Sequence, residues 1–240
     1  MQATNRQPKG DTGKGYKGMP MEGMIARWYA KIRRTESQIE DWRQQAAQLT
    51  AGLTDGADVL EVAPGPGYFA IELARLGRFH VTGLDISHTF VELAREHARQ
   101  AGVQVEFRQG DASRMPFADG SFDLVVCQAA FKNFSRPVQA LDEMYRVLRN
   151  GGTAVIQDMS GDVTRADIGQ EVQRMQLGPL NAFMTRRALL GLRRRAYTKE
   201  QFARLAAASA FAGCEITTGG IGMEVRLSKR ARVGEASQAG

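Results

Sequence analysis

Cysteine is nearly absent from this sequence: two residues in 240, Cys127 and Cys214, with no further Cys or His at ligand spacing. A disulfide framework and a zinc site are therefore excluded, and no metal is expected. Cys127 closes an apolar run and reads as a small buried hydrophobe. No stretch approaches the roughly 18–20 continuous apolar residues that a membrane span requires. Residues 1–18 are polar, rich in Gly and Lys, and lack the apolar centre of a secretory signal. The expectation is a cytoplasmic protein without a membrane span. There is no internal repeat; residues 1–18 read as a flexible leader and residues 229–240 as a disordered tail.

Acidic residues are outnumbered, 26 against 32 Lys and Arg, which leaves a net charge of +6 and a pI near 9.6. The location of that charge matters more than its sum. Part lies toward the ends, at Lys14, Lys17, Lys31, Arg33 and Arg34 and at Lys229, Arg230 and Arg232. A second group is Arg186, Arg187, Arg193, Arg194 and Arg195. Neither group is interleaved with the Gly and aromatic residues of an RNA-binding surface, so nucleic acid is not the expected partner. A solvated or anion-facing surface is the simpler reading.

What the sequence does contain is a rhythm. From Pro20 to Thr50 the spacing of Met24, Trp28, Ile32, Ile39, Trp42, Ala46 and Leu49 predicts one or two amphipathic helices. Beyond Asp58, strand-like runs (Val59–Val62, His80–Leu84, Val103–Phe107, Leu124–Cys127, Thr153–Ile156) alternate with helical patterns (Tyr68–Leu76, Phe90–Gln100, Val138–Arg149). Such alternation implies βαβ units and a parallel sheet with helices on both faces. The breaks fall at Gly77, Gly102 and Asn150-Gly151-Gly152. Residues 162–196 read as two helices broken at Gly178-Pro179, the second strongly basic. A helix over Lys199–Phe211 follows, with Thr198 as N-cap and Gln201 completing a capping box. Cys214–Thr218, a Gly219-Gly220 turn and Met223–Leu227 read as a closing antiparallel hairpin.

The most informative segment runs from Val59 to Ala70. A buried strand leads into a Gly- and Pro-rich turn and then a helix. Gly65 and Gly67 let the backbone turn tightly and approach a ligand where a Cβ would collide, and the free N–H groups of the next helix favour an anionic group. Alone, G-x-G-x-x-A (Gly65, Gly67, Ala70) also fits a nicotinamide or flavin enzyme. Asp85 ends the second strand, where its carboxylate can accept from both hydroxyls of a ribose; its bland alternative is to cap the helix starting near Ser87.

Further along come Gly110-Asp111-Ala112, Met115-Pro116-Phe117, Ser121 to Val126, and Arg146 to Gly152. In order and spacing, residues 58–158 resemble the class I S-adenosylmethionine-dependent methyltransferases, particularly the branch similar to ubiquinone/menaquinone C-methyltransferases and type 11 small-molecule enzymes. The resemblance implies a Rossmann-like methyltransferase fold of the α/β class: a mostly parallel seven-stranded sheet closed by an antiparallel β-hairpin, with helices on both faces. It implies one methyltransferase domain over 19–228, with 19–50 as a helical cap and 162–196 as a helical insertion covering the substrate. The implied cofactor is S-adenosyl-L-methionine, with S-adenosyl-L-homocysteine as product. Glu61, Ala63, Gly65 and Gly67 would line its methionine end, Asp85 and Ser87 the ribose, and Ile86 the adenine face. Gly110, Asp111 and Ala112 would meet the adenine edge, and Gln128, Ala129 and Phe131 would border the sulfonium. Tyr16 and Tyr29 are further expected cofactor contacts. One departure is Ala63, where many relatives carry Gly.

Methyl transfer by in-line displacement needs positioning and dryness rather than a fixed triad. If the acceptor must lose a proton, Asp158 after the fifth strand is the preferred base, with His88, Lys132 and Asn133 nearby. His80 begins a strand away from its functional end and reads as structural, and His97 reads as a solvated helix residue. Trp28, Met175, Phe183 and Met184, with Tyr16 and Tyr29, are candidate walls for an anionic or aromatic small-molecule acceptor; the alternative for each is packing between helices. Arg186 and Arg187 are candidates to meet an anionic acceptor. Three other readings compete: an RNA or protein methyltransferase, a nicotinamide-dependent oxidoreductase, and a cofactor-binding protein without turnover. Residues 128–133 lack the Asn/Asp-Pro-Pro-aromatic motif of base methylation, and no Tyr-x-x-x-Lys pair accompanies the glycine turn. Monomer and homodimer both remain open.

Overall fold

A computed structural model describes residues 15–17, 21–32 and 36–230. The expected leader and tail fall mostly outside these residues, as do Lys14, Arg33, Arg34 and Arg232. Seven strands form one sheet in the order β3-β2-β1-β4-β5-β7-β6. Strands β1 (Asp58–Val62), β2 (His80–Asp85), β3 (Glu106–Gln109), β4 (Phe122–Gln128) and β5 (Leu148–Met159) are parallel. β6 (Glu215–Gly219) and β7 (Gly222–Ser228) form the antiparallel hairpin, with β7 lying against β5. This is the sheet expected of the methyltransferase fold.

Alternation along the strands explains why helices cover both faces. Leu60, Val125, Cys127, Ala154 and Ile156 join one core with α5 (Pro137–Val147) and α8 (Lys199–Ala207). Their neighbours Val59, Leu124, Val126 and Val155 join the other, against α2 (Glu36–Thr50), α3 (Tyr68–Arg75) and α4 (His88–Ala101). A period of two thus assigns successive side chains to opposite cores. α1 (Gly23–Ile32) lies before α2, and α6 (Arg165–Arg174) and α7 (Pro179–Arg193) form the helical pair expected over 162–196. The Thr198–Gln201 capping box is present, and Gly178-Pro179 opens α7.

Several element ends differ from expectation for physical reasons. β3 starts at Glu106 rather than Val103, because Gly102 is left-handed and the Val103 N–H returns to Ala98 O to close α4. α5 ends at Val147, and Asn150-Gly151-Gly152 belongs to β5 instead of a break before it. Pairing there slips between Phe122–Leu148 and Leu124–Thr153, an irregularity that leaves Gly152 pressed against Asp123 O, where an added Cβ would sit 2.9 Å away. α8 ends at Ala207, and the hairpin turn follows Gly219. α1 packs through Ala26 and Ala30, while Met24 and Trp28 of its expected apolar face are exposed.

At the amino ends of the strands, Arg149 bridges Asp58 (2.7 Å) and Asp123, and Asp123 also accepts from the Asp58 N–H at 2.8 Å. β1, β4 and β5 are clamped together there. The strand order reverses between β1 and β4, and the carboxyl ends there are the position at which open α/β sheets form a ligand crevice.

Candidate active site

A cavity of about 500 Å³ opens at that switch, within the ~300–1,000 Å³ typical of small-molecule sites. Of the residues singled out from sequence, Tyr16, Tyr29, Glu61, Ala63, Gly65, Asp85, Ile86, Ser87, Gly110, Asp111, Ala112 and Gln128 line it. Gly67 and Phe131 do not. Gly67 is left-handed and faces the fold, where a Cβ would meet Ala94 Cβ at 2.8 Å and Phe107 at 2.9 Å. Phe131 is fully buried among Phe134, Tyr197 and Phe202. The short 3-10 turn Phe131–Asn133 points Phe131 inward and brings the next two residues to the cavity.

The glycine turn has room where a ligand would need it. Gly65 is left-handed, with nothing within 4 Å of its would-be Cβ. Ala63 is also left-handed, at φ 59. Glu61 lies beneath, entirely buried, with its Oε2 lacking any hydrogen-bond partner. Burial pushes its carboxyl up to about 8, against an opposing bond from the Ala70 N–H. A buried polar atom without a partner, at the wall of a cavity, is a site for a donor from outside.

Asp85 is held by the backbone. Its Oδ2 accepts from Gly65 N–H at 2.9 Å and its Oδ1 from Ser87 N–H at 2.8 Å, so it ties the two loops together. Burial pushes its carboxyl up to about 6 despite these bonds. The helix cap is Ser87, whose hydroxyl accepts from Phe90 N–H and donates to Met21 O. Glu22 adds a carboxylate to the same helix start, accepting from His88 and Thr89 N–H at 3.0 and 3.1 Å. Thus α4 docks the start of α1 beside the cavity.

Asp111 accepts from Ser113 and from Arg136. Burial would raise its carboxyl, but these donors outweigh it and hold it below the ordinary value. The backbone of Gly15–Lys17 crosses this end: a Cβ on Gly15 would lie 2.6 Å from Ile86 Cδ1 and 2.9 Å from Asp111 Oδ2. Bonds from Lys17 N–H to Asn133 O and from Ser135 N–H to Gly15 O hold it in place. The Tyr16 hydroxyl is raised above its usual range by burial, with Arg195 opposing.

At the far wall, Lys132 and Asp158 form a buried ion pair of 2.6 Å. Lys132 Nζ also donates to Ala129 O, and Asp158 accepts from the Lys132 N–H at 3.1 Å. Lys132 lines the cavity; Asp158 stands behind it. Asn133 lines the cavity too, nine-tenths buried, with its Oδ1 unpartnered. Gln128 donates to Gln45 and Gln157.

Trp28 reaches the cavity rim, whereas Met175, Phe183, Met184, Arg186 and Arg187 do not; Leu192 comes instead from the last turn of α7 and Arg195 from just after it. His80 is exposed beside Asp58, and His88 faces Glu92. His97 departs from the solvated role expected of it. Its ring stacks on Tyr68 and its Nδ1 lies 2.9 Å from Pro66 O, so the glycine turn is braced from behind. Tyr68 stacks in turn on Trp42 and donates to Ala30 O.

A family profile described as a methyltransferase domain matches residues 60–156. The demethylmenaquinone methyltransferase of Deinococcus radiodurans is 40% identical over 160 residues, 65% of this chain and 66% of that protein. Across the first curated relatives, the match spans between about half and two thirds of their length. Among solved structures, a SAM-dependent methyltransferase from Aquifex aeolicus superposes with a TM-score of 0.64 at 19% identity, covering 84% of this chain and 97% of that one. The [4+2]-cyclase SpnF shares the fold at a TM-score of 0.54 and 23% identity, over 85% of this chain and 65% of its own.

Proposed function

Since this chain belongs to the class I methyltransferase family, we propose that it transfers a methyl group from S-adenosyl-L-methionine to a small hydroxylated aromatic acceptor of the demethylmenaquinol type. The observation that carries the cofactor reading is the unpartnered Glu61 Oε2 under an open, left-handed Gly65. Those two features fit the ammonium and carboxylate of an amino-acid end. Asp85, at the end of β2, retains lone pairs for two ribose hydroxyls, and Ile86 and Asp111 fit an adenine ring and its amino group.

Bound there, the cofactor supplies a methyl group already activated by its sulfonium. The chain's own part is placement and exclusion of water. Tyr16, Trp28, Tyr29 and Phe134 give the cavity aromatic walls. Asn133 Oδ1 would accept a hydrogen bond from one acceptor hydroxyl, and the Lys132 ammonium would stabilise the anion of a second, whose proton is released to solvent as the acceptor binds. Asp158, anticipated from sequence as a base, serves as a positioning residue that holds Lys132.

The fold alone does not select methyl transfer, because it is shared with a cyclase. Calorimetric titration of S-adenosylhomocysteine, with NAD in parallel and Asp85→Ala as the variant, decides the cofactor. Saturable binding of the former, weakened roughly tenfold or more by loss of charge-assisted bonds, is expected. Binding of NAD instead would overturn the proposal. A transfer assay with labelled cofactor and a short-chain demethylmenaquinol then tests the acceptor; binding without transfer would favour the non-catalytic reading.

A further inference from the structure

Helix α7 carries apolar residues on its outward face as well as its inward one. None of its residues is fully buried. Ala182, Leu189, Leu190 and Leu192 pack partly against Met159, Val163, Ile168 and Val172. The outward face presents Leu180, Phe183 and Met184, which are 74, 56 and 59% exposed. Met175 and Leu177 extend this patch along the preceding loop. A helix facing water shows the reverse pattern, and an apolar cluster of this kind marks an interaction surface.

Its charge says which partner. Between residues 175 and 199 there is no acidic residue, while Arg186, Arg187, Arg193, Arg194, Arg195 and Lys199 are basic. The Arg187 guanidinium lies 5.8 Å from the Phe183 ring centroid, so cation and apolar face are interleaved on one surface. Two copies of the chain meeting through this face would bring like charges together, which opposes an isologous dimer. Nucleic acid would satisfy the arginines but leave Leu180 and Met184 in water. An anionic bilayer satisfies both: apolar side chains enter the boundary and arginines remain at the headgroups.

We infer that the outward face of α7, with the Met175–Leu177 loop, docks on an anionic lipid surface. The cavity rim has the same character, since Ile25 and Trp28 on α1 and Arg195 after α7 all line it and are exposed. An acceptor carrying an apolar tail could then pass from lipid to cavity past an apolar rim. The docking itself rests on the surface alone and stands apart from the identity of the cofactor.

The test is sedimentation of the full chain with vesicles of phosphatidylcholine alone or mixed with phosphatidylglycerol. Binding is expected to be roughly tenfold or more tighter to the anionic vesicles. The pair Phe183→Ser and Met184→Ser should reduce it by a similar factor, and Arg186→Gln with Arg187→Gln should do likewise, all with an unchanged thermal midpoint. No binding would overturn the inference. So would binding that survives the serine pair, which would mean charge attraction alone. A dimer in sedimentation velocity that the serine pair dissolves would assign the face to a second copy. If S-adenosylhomocysteine binds none of these proteins while the vesicles still do, the proposed function falls and the docking surface stands.

Discussion

Under the proposed function, Glu61 should make cofactor binding a proton-releasing event. Its carboxyl, raised from 4.5 to about 8 by complete burial, is roughly 90% protonated at pH 7. An incoming ammonium favours the carboxylate, because opposite charge within a dry site lowers the pKa. S-adenosylhomocysteine should therefore expel about 0.9 proton at pH 7. Affinity should strengthen about tenfold between pH 6 and 7, with Asp85, at about 6, adding at most about a further twofold. Calorimetry in buffers of different ionisation enthalpy measures the proton directly. Glu61→Gln should abolish both the release and Glu61's share of the pH dependence. The free protein supplies the matching sign: folded Glu61 holds a proton that the unfolded chain gives up above 4.5. Glu61's own contribution to stability is then largest below that pH and is lost as pH rises through about 8, an amount on the order of 4–5 kcal/mol. Heats that do not depend on the buffer would refute the reasoning, since they would mean that Glu61 does not change its protonation on binding.

Two further outcomes follow from the site. Asp158→Ala should destabilise the protein by about 3–5 kcal/mol in urea unfolding, because it leaves the buried Lys132 ammonium without its partner; an effect under 1 kcal/mol would show that the pair is not buried in solution. Gly65→Ala and Gly67→Ala should separate binding from folding. The first meets only left-handed strain of about 1–2 kcal/mol but places a methyl in the ligand space, so it should lose S-adenosylhomocysteine binding. The second collides with Ala94 and Phe107 and should lower the thermal midpoint more than the first.

The sheet was legible because its signals are local. Alternating apolar residues in β1, β4 and β5 feed two cores at once, and the Thr198 cap and the Gly178-Pro179 break act within one turn of chain. Part of the cavity lining was legible too, since Glu61, Gly65, Asp85 and Asp111 lie at strand ends where the chain must turn. What escaped depends on contacts between distant residues or on one turn of backbone. Lys132 and Asp158 are 26 positions apart, and nothing in either segment announces the pair. The 3-10 turn after β4 exchanges Phe131 for Lys132 and Asn133 at the cavity, a rotation that spacing does not encode. His97 looked solvated because its helix alternates in charge, yet a stacked Tyr68 and the Pro66 carbonyl capture it. α7 misled by composition: Phe183 and Met184 suggested a wall, and they face out.

The clamp of Arg149 on Asp58 and Asp123 sits at the pole of the sheet opposite the cavity. The clamp thus aligns the strands at a distance from the residues that line the cavity. Variation at Asn133, Trp28 or Arg195 is free to reshape acceptor choice while the scaffold keeps its alignment, and a library aimed at new acceptors should leave the arginine pole untouched.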